Sequence, residues 1–194
     1  KNNHGTLIHF STDAFYNQTL NFSNEKSKLE FSNSYAYQKF IGEELIKNKN
    51  SIVLRGSFFG WNHRGSGLIN YINNAITQNY AAVDGWSNVY TSALHIRHLT
   101  QIIISIIFDK RLEHKFGLYN FGTSSAYSKY SLIKEILPRN IKLKNITFNK
   151  ESANGISRNL NCGLNPSKLD NAFGLKFQFN EVINECIKDL SRHA

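Results

Sequence analysis

Residues 7–13 read Leu7-Ile8-His9-Phe10-Ser11-Thr12-Asp13. A short, mostly apolar run that closes on three polar residues is the pattern of a buried strand with a polar carboxyl end. Outward from it, residues 17–34 are polar and rich in Asn and Ser, which predicts a long loop. Ser34 is then placed to cap a helix that starts at Tyr35 and runs to about Asn48. Phe40, Ile41, Leu45 and Ile46 recur at helical spacing, and Lys47-Asn48-Lys49-Asn50 ends the pattern. Ser51-Ile52-Val53-Leu54-Arg55 reads as the next strand, with the loop Gly56-Ser57-Phe58-Phe59-Gly60 at its carboxyl end.

Further along, residues 66–79 predict an amphipathic helix with Leu68, Ile69, Ile72 and Ile76 on one face. Residues 91–109 predict another, residues 117–122 a short buried strand, and residues 127–137 a helix ending at Pro138. A final helix is expected from about Asn180 to Ser191. Strands alternating with crossover helices define an α/β chain with a parallel sheet. Such sheets bind ligands beyond the carboxyl ends of their strands. Ser11-Thr12-Asp13 and Gly56-Ser57-Phe58 both fall there. The start of the Tyr35 helix can lie over the same edge.

The 194 residues suffice for one domain with a core and a small lobe. Hydrophobic residues make up 41% and charged residues 19%, a folded rather than disordered composition. The net charge of +9 permits a phosphate-bearing ligand. The basic residues are scattered, however, and the densest cluster, 142–150, does not make a basic, aromatic-interleaved stripe, which disfavours nucleic acid. The two cysteines, Cys162 and Cys186, suit neither a zinc site nor a disulfide framework and read as free thiols. The apolar run Ile102–Phe108 is too short to span a membrane. A soluble cytoplasmic protein without a metal is the expectation.

Tyr35 and Lys39 form a Tyr-x-x-x-Lys pair, which a helix places on one face. A phenol ionises near pH 10. A neighbouring ammonium favours the phenolate, so the Tyr can deliver a proton to a carbonyl oxygen nearer neutrality. A hydroxyl such as that of Thr12 can hydrogen-bond the same oxygen. The spacing alone is not diagnostic, because Tyr130 and Lys134 repeat it. Context separates them. Tyr35 follows a polar strand end and precedes a strand, whereas Tyr130 has only the short Gly122-Thr123-Ser124-Ser125 segment upstream. Tyr37 should lie on another face of the helix.

The stretches LIHFSTDAFY, SYAYQKFIGEELI and IVLRGSFFG together resemble the extended short-chain dehydrogenase/reductases, and within them the dTDP-4-dehydrorhamnose reductase family. Val83-Asp84-Gly85 with Tyr90-Thr91 resembles that family's Asp-containing loop before a helix. Gly117-Leu118-Tyr119-Asn120 resembles its Gly-x-Tyr-His strand, and Arg158-Asn159 to Leu169 resembles its tail, with Asn159 where Pro is common. The resemblance implies a Rossmann-like doubly wound parallel sheet, with 1–80 and 117–122 as its core and 81–116 and 123–194 mainly a substrate lobe. It implies Tyr35 as proton donor, Lys39 tuning it and binding the nicotinamide ribose, and Thr12 holding the substrate carbonyl. Ser11 and Ser57 would lie by the cofactor, NADPH or NADH. Asp13 and Phe58 would lie by a nucleotide-linked 4-keto-6-deoxy sugar. His63-Arg64 is a further candidate for meeting a phosphate.

The 194 residues contain no Gly-x-x-Gly-x-x-Gly, the turn that cradles a dinucleotide pyrophosphate. The sequence therefore reads as if it opened before the family's fifth strand, with 1–4 ending a preceding helix and the first four strands missing. The expectation is part of a longer chain, one half of a split protein, or a decayed one, partnered by the missing half or by a second copy. Two other readings compete: a nucleotide-sugar epimerase, and a non-catalytic sugar-nucleotide-binding relative. Dehydratase chemistry is disfavoured because Ala14 follows Asp13.

Overall fold

The computed structural model describes residues 5–17, 22–47, 49–148 and 159–193. The central sheet is parallel, in the order β1-β2-β7, from β1 (Leu7–Phe10), β2 (Ser51–Arg55) and β7 (Gly117–Asn120). Leu7 pairs with Ser51 and Phe10 with Leu54, while Ile52 pairs with Gly117 and Arg55 with Asn120. The middle strand is buried along its whole length, as a parallel strand covered on both faces must be. Ile52 and Leu54 join a core with Ile69, Ile72, Leu99, Ile102, Val182 and Cys186. On the opposite face His9 meets Gly42 of helix α1 (Ser34–Ile46).

Helix α1 starts one residue earlier than expected. Its cap is Asn33, whose Oδ1 accepts from Ala36 N at 2.9 Å. Asn caps as well as Ser, so the two adjacent candidates differ only in the backbone, which is extended at Asn33. The helix ends at Ile46; the expected end at Asn48 and the reading of 1–4 lie outside the described residues.

The predicted helix over 66–79 is the shorter α2 (Leu68–Thr77), bounded by Gly67 at φ +102° and followed by Asn79 at φ +52°. The single helix expected over 91–109 is a correction. Tyr90–Thr91 (β5) and Leu94–His95 (β6) are strands, and α3 spans Ile96–Ile107. The Thr91 hydroxyl turns the chain between them by accepting from Ala93 N at 3.1 Å, and His95 Nδ1 caps α3 by accepting from Arg97 N. Phe58–Phe59 (β3), also read as loop, pairs in parallel with β6. Residues 127–137 divide likewise into β8 (Tyr127–Ser128) and α4 (Lys129–Ile136), and Leu137 is extended ahead of Pro138.

Val83-Asp84-Gly85, expected as a loop, lies inside strand β4 (Ala82–Trp86), which pairs in parallel with β9 (Lys142–Ile146). The remaining elements are β10 (Asn161–Cys162), α5 (Ser167–Phe173) and α6 (Phe179–His193). β10, β5 and β8 form a second small sheet. Both cysteines are free thiols. Among the described residues no helix is long and apolar enough to cross a membrane, and no cluster of His, Cys, Asp and Glu is arranged to hold a metal.

Candidate active site

The carboxyl ends of β1 and β2 and the first turn of α1 open onto one cleft of about 890 Å³. Thr12, Asp13, Tyr35, Ser57 and Phe58 all line it. These are five of the seven residues singled out from the sequence, brought from three elements. The other two, Ser11 and Lys39, stand behind this wall. Lys39 Nζ donates to Phe10 O at 3.1 Å and lies 6.0 Å from the Tyr35 ring centroid. Ser11 is buried, and its Oγ has no hydrogen-bond partner among the described residues.

Asp13 is the most constrained group in the cleft. Ser57 Oγ donates to its Oδ2 at 2.6 Å and sits 3.3 Å from Thr91 Oγ1. Burial pushes the Asp13 carboxyl above the usual carboxylate range, while the Ser57 and Thr12 hydroxyls and the Lys129 charge pull it down. Thr12 Oγ1 also accepts from Ala14 N at 3.1 Å, which fixes the turn after β1. Tyr35 is about half exposed at the cleft, where a ligand can reach its phenol.

The far side of the cleft is aromatic: Trp86, Tyr90 and Phe148 line it. Trp86 meets Phe148 edge to face, and Lys129 Nζ lies 4.7 Å from the Trp86 ring centroid. Asn159 closes the wall near Thr12 by donating to Ala14 O at 2.8 Å; its neighbour Arg158 lies outside the described residues. Cys162 also lines the cleft, but burial pushes its thiol strongly up, away from the reactive thiolate.

The second Tyr-x-x-x-Lys lies outside the cleft. Tyr130 packs so tightly on Gly85 of β4 that a Cβ there would come within 3.0 Å of its ring, and Lys134 is exposed. Neither lines the cleft. Tyr37 points elsewhere, as expected, and meets Phe31 edge to face. His63 and Arg64 are exposed in a turn and are not among the residues that line the cleft.

The aromatic wall, Thr91 and Lys129 were not read from the sequence. Ile141-Lys142-Leu143-Lys144 does alternate with a period of two before Asn145 breaks it, a signal that could have shown the β9 edge and hence its partner β4 with Trp86.

The fit of a nicotinamide cofactor rests on two observations. Lys39 has donors beyond the one engaged by Phe10 O, since an ammonium carries three. The unpartnered Ser11 Oγ lies on the same strand end. The Tyr35 phenol lines the cleft in front of them, so the donors and acceptors present suit a hydroxyl-bearing group such as a ribose.

The parallel central sheet with crossover helices is a mixed α/β, Rossmann-like fold. Solved structures agree. A dTDP-4-dehydrorhamnose reductase from Clostridium acetobutylicum matches with a TM-score of 0.79 at 16% identity, over 95% of this chain and 65% of that one. A dTDP-4-dehydrorhamnose reductase from Bacillus anthracis in complex with NADP matches with a TM-score of 0.75 at 18% identity, over 97% and 66%. A Bordetella bronchiseptica enzyme in complex with NAD and UDP matches with a TM-score of 0.70 at 17% identity, over 97% and 60%. The chain thus spans less than two thirds of the length of these proteins. No protein-family model matches the sequence, and no curated protein matches it. At these identities the likeness establishes the fold.

Proposed function

We propose that the chain forms part of an NAD(P)H-dependent reductase that acts on the 4-keto group of a nucleotide-linked 6-deoxy sugar. The observation that carries this reading is the convergence of Thr12 and Tyr35, from separate elements, on one cleft with Lys39 directly behind. Lys39, Ser11, Ser57 and Tyr35 would hold the nicotinamide ribose end of the cofactor, which supplies the hydride when bound. The Thr12 hydroxyl positions the carbonyl oxygen, and the Tyr35 phenol gives it a proton. Asp13 and Phe58 contact the sugar. The Trp86, Tyr90 and Phe148 wall offers a stacking surface for a nucleobase, with Lys129 near its phosphates. Residues 1–80 and 117–122 form the cofactor side, and the remainder the substrate lobe. The setting is the cytoplasm.

The test is NADPH and NADH oxidation with a dTDP-4-keto-6-deoxy sugar. Tyr35→Phe should lower kcat by about 10²-fold or more, and Tyr130→Phe should leave it within about twofold, because Tyr130 does not reach the cleft. Activity that survives Tyr35→Phe overturns the assignment. One observation favours a second reading as an epimerase: the buried Asp13–Ser57 pair is another group able to move a proton. Solvent deuterium appearing at a sugar carbon without cofactor turnover would select it.

A further inference from the structure

The Tyr35–Lys39 stripe has a third member. Each step of four residues rotates a helix face by about 40°. Tyr35, Lys39 and Glu43 therefore descend in turn from the cleft into the core, from 53% exposed at Tyr35 to 6% at Glu43. There the Glu43 carboxylate meets Arg55, the last residue of β2 and itself only 4% exposed. Arg55 Nε donates to Glu43 Oε1 at 2.9 Å and to Oε2 at 3.1 Å, and Nη2 donates to Oε2.

The third arm goes elsewhere. Arg55 Nη1 donates to Tyr16 Oη at 2.7 Å, and the Phe15 ring lies 4.7 Å from the guanidinium carbon. Tyr16 is fully buried and four residues beyond Thr12. One guanidinium thus grips α1, which carries Tyr35, and the segment after β1, which carries Thr12. Arg55 itself precedes Gly56-Ser57. None of the three gripping groups lines the cleft.

We propose that Arg55, with Glu43 and Tyr16, is the positioning clamp that sets the Tyr35 phenol against the Thr12 hydroxyl. This rests on the reading of those two as the reacting pair. A buried ion pair is a poor choice for stability alone, since apolar residues of similar volume commonly do as well or better. What a guanidinium fork adds is geometry: bidentate contact fixes both the rotation and the axial position of α1, and a point charge such as Lys cannot reproduce it.

The test compares four variants. Arg55→Lys keeps the charge and removes the fork. Glu43→Leu/Arg55→Met fills the core without the pair. Tyr16→Phe removes one arm and keeps the fold. Glu44→Gln, at the exposed Lys47 pair beside Glu43, is the control. Two readouts are taken on the whole chain: kcat and KM for ketone reduction, and the NMR signals of the 13C-labelled Tyr35 ring and Thr12 methyl. In Arg55→Lys and the double variant kcat should fall about 10- to 100-fold with KM within about twofold, and both signals should move. Tyr16→Phe should move the Thr12 signal, and Glu44→Gln neither. A folded double variant, or Tyr16→Phe, with parent signals overturns the clamp. The NMR readout needs no turnover, so a failed reductase assay would count against the proposed function and leave the clamp to be decided by the spectra.

Discussion

That Thr12 and Tyr35 share one cleft was legible from position: a hydroxyl at a strand end and a phenol at a helix start both face the carboxyl edge of a parallel sheet. Arg55 carried a comparable signal. A charged residue closing an otherwise apolar strand demands a buried partner. The partner, Glu43, was hidden because helical spacing does not say how deep a face lies. Asp170 shows another effect of depth. Burial pushes its carboxyl up to about 6 from its ordinary 3.8, opposed by the Lys176 charge, and its Oδ1 has no partner among the described residues. Below 3.8 it is protonated folded and unfolded alike, and costs nothing. As pH rises the unfolded chain releases the proton first, so stability falls until the folded carboxyl has ionised, above about 6. Asp170→Asn should therefore gain on the parent in thermal stability between about pH 3.5 and about pH 7, as scanning calorimetry would show. A constant difference across that range would contradict the shift.

At the scale of elements, the apolar central strands and the longer helices were readable, and β4, β9 and the two-residue strands were not. β1, β2 and α6 announce themselves by apolar runs or helical period. β3, β5, β6 and β8 are too short to show any period, and what defines them is pairing with segments far away in sequence. Their tight approach is visible at the β2–β7 end. A Cβ on Gly56 would sit 2.7 Å from Phe121 O, a backbone atom that also belongs to the ladder's continuation, where Phe121 N donates to Arg55 O. Gly56→Ala should cost about 1–3 kcal/mol in urea denaturation, since backbone cannot yield as a side chain can. An unchanged midpoint would mean that the strand ends are looser than drawn.

For the whole molecule, the outer face of α1 is the conspicuous feature. Tyr37, Ile41 and Leu45 recur at intervals of four and are all exposed, beside exposed Phe31. On the same side, β1 pairs with β2 alone among the described residues. An exposed apolar ridge of this kind can seat another apolar surface. The parent chain should therefore associate as its concentration rises in sedimentation velocity, and Ile41→Lys/Leu45→Lys should abolish the trend without lowering Tm, because neither side chain is buried. A parent that sediments identically at every concentration would refute this. The opposite end of the molecule imposes an order in time. Asp189 of α6 accepts from Trp61 N and pairs with buried His95, across 128 and 94 residues of chain. During synthesis the Trp61 backbone donor meets this carboxylate only once α6 has been made. A chain that stops before residue 189 would lack the carboxylate that the Trp61 N–H and the buried His95 ring share.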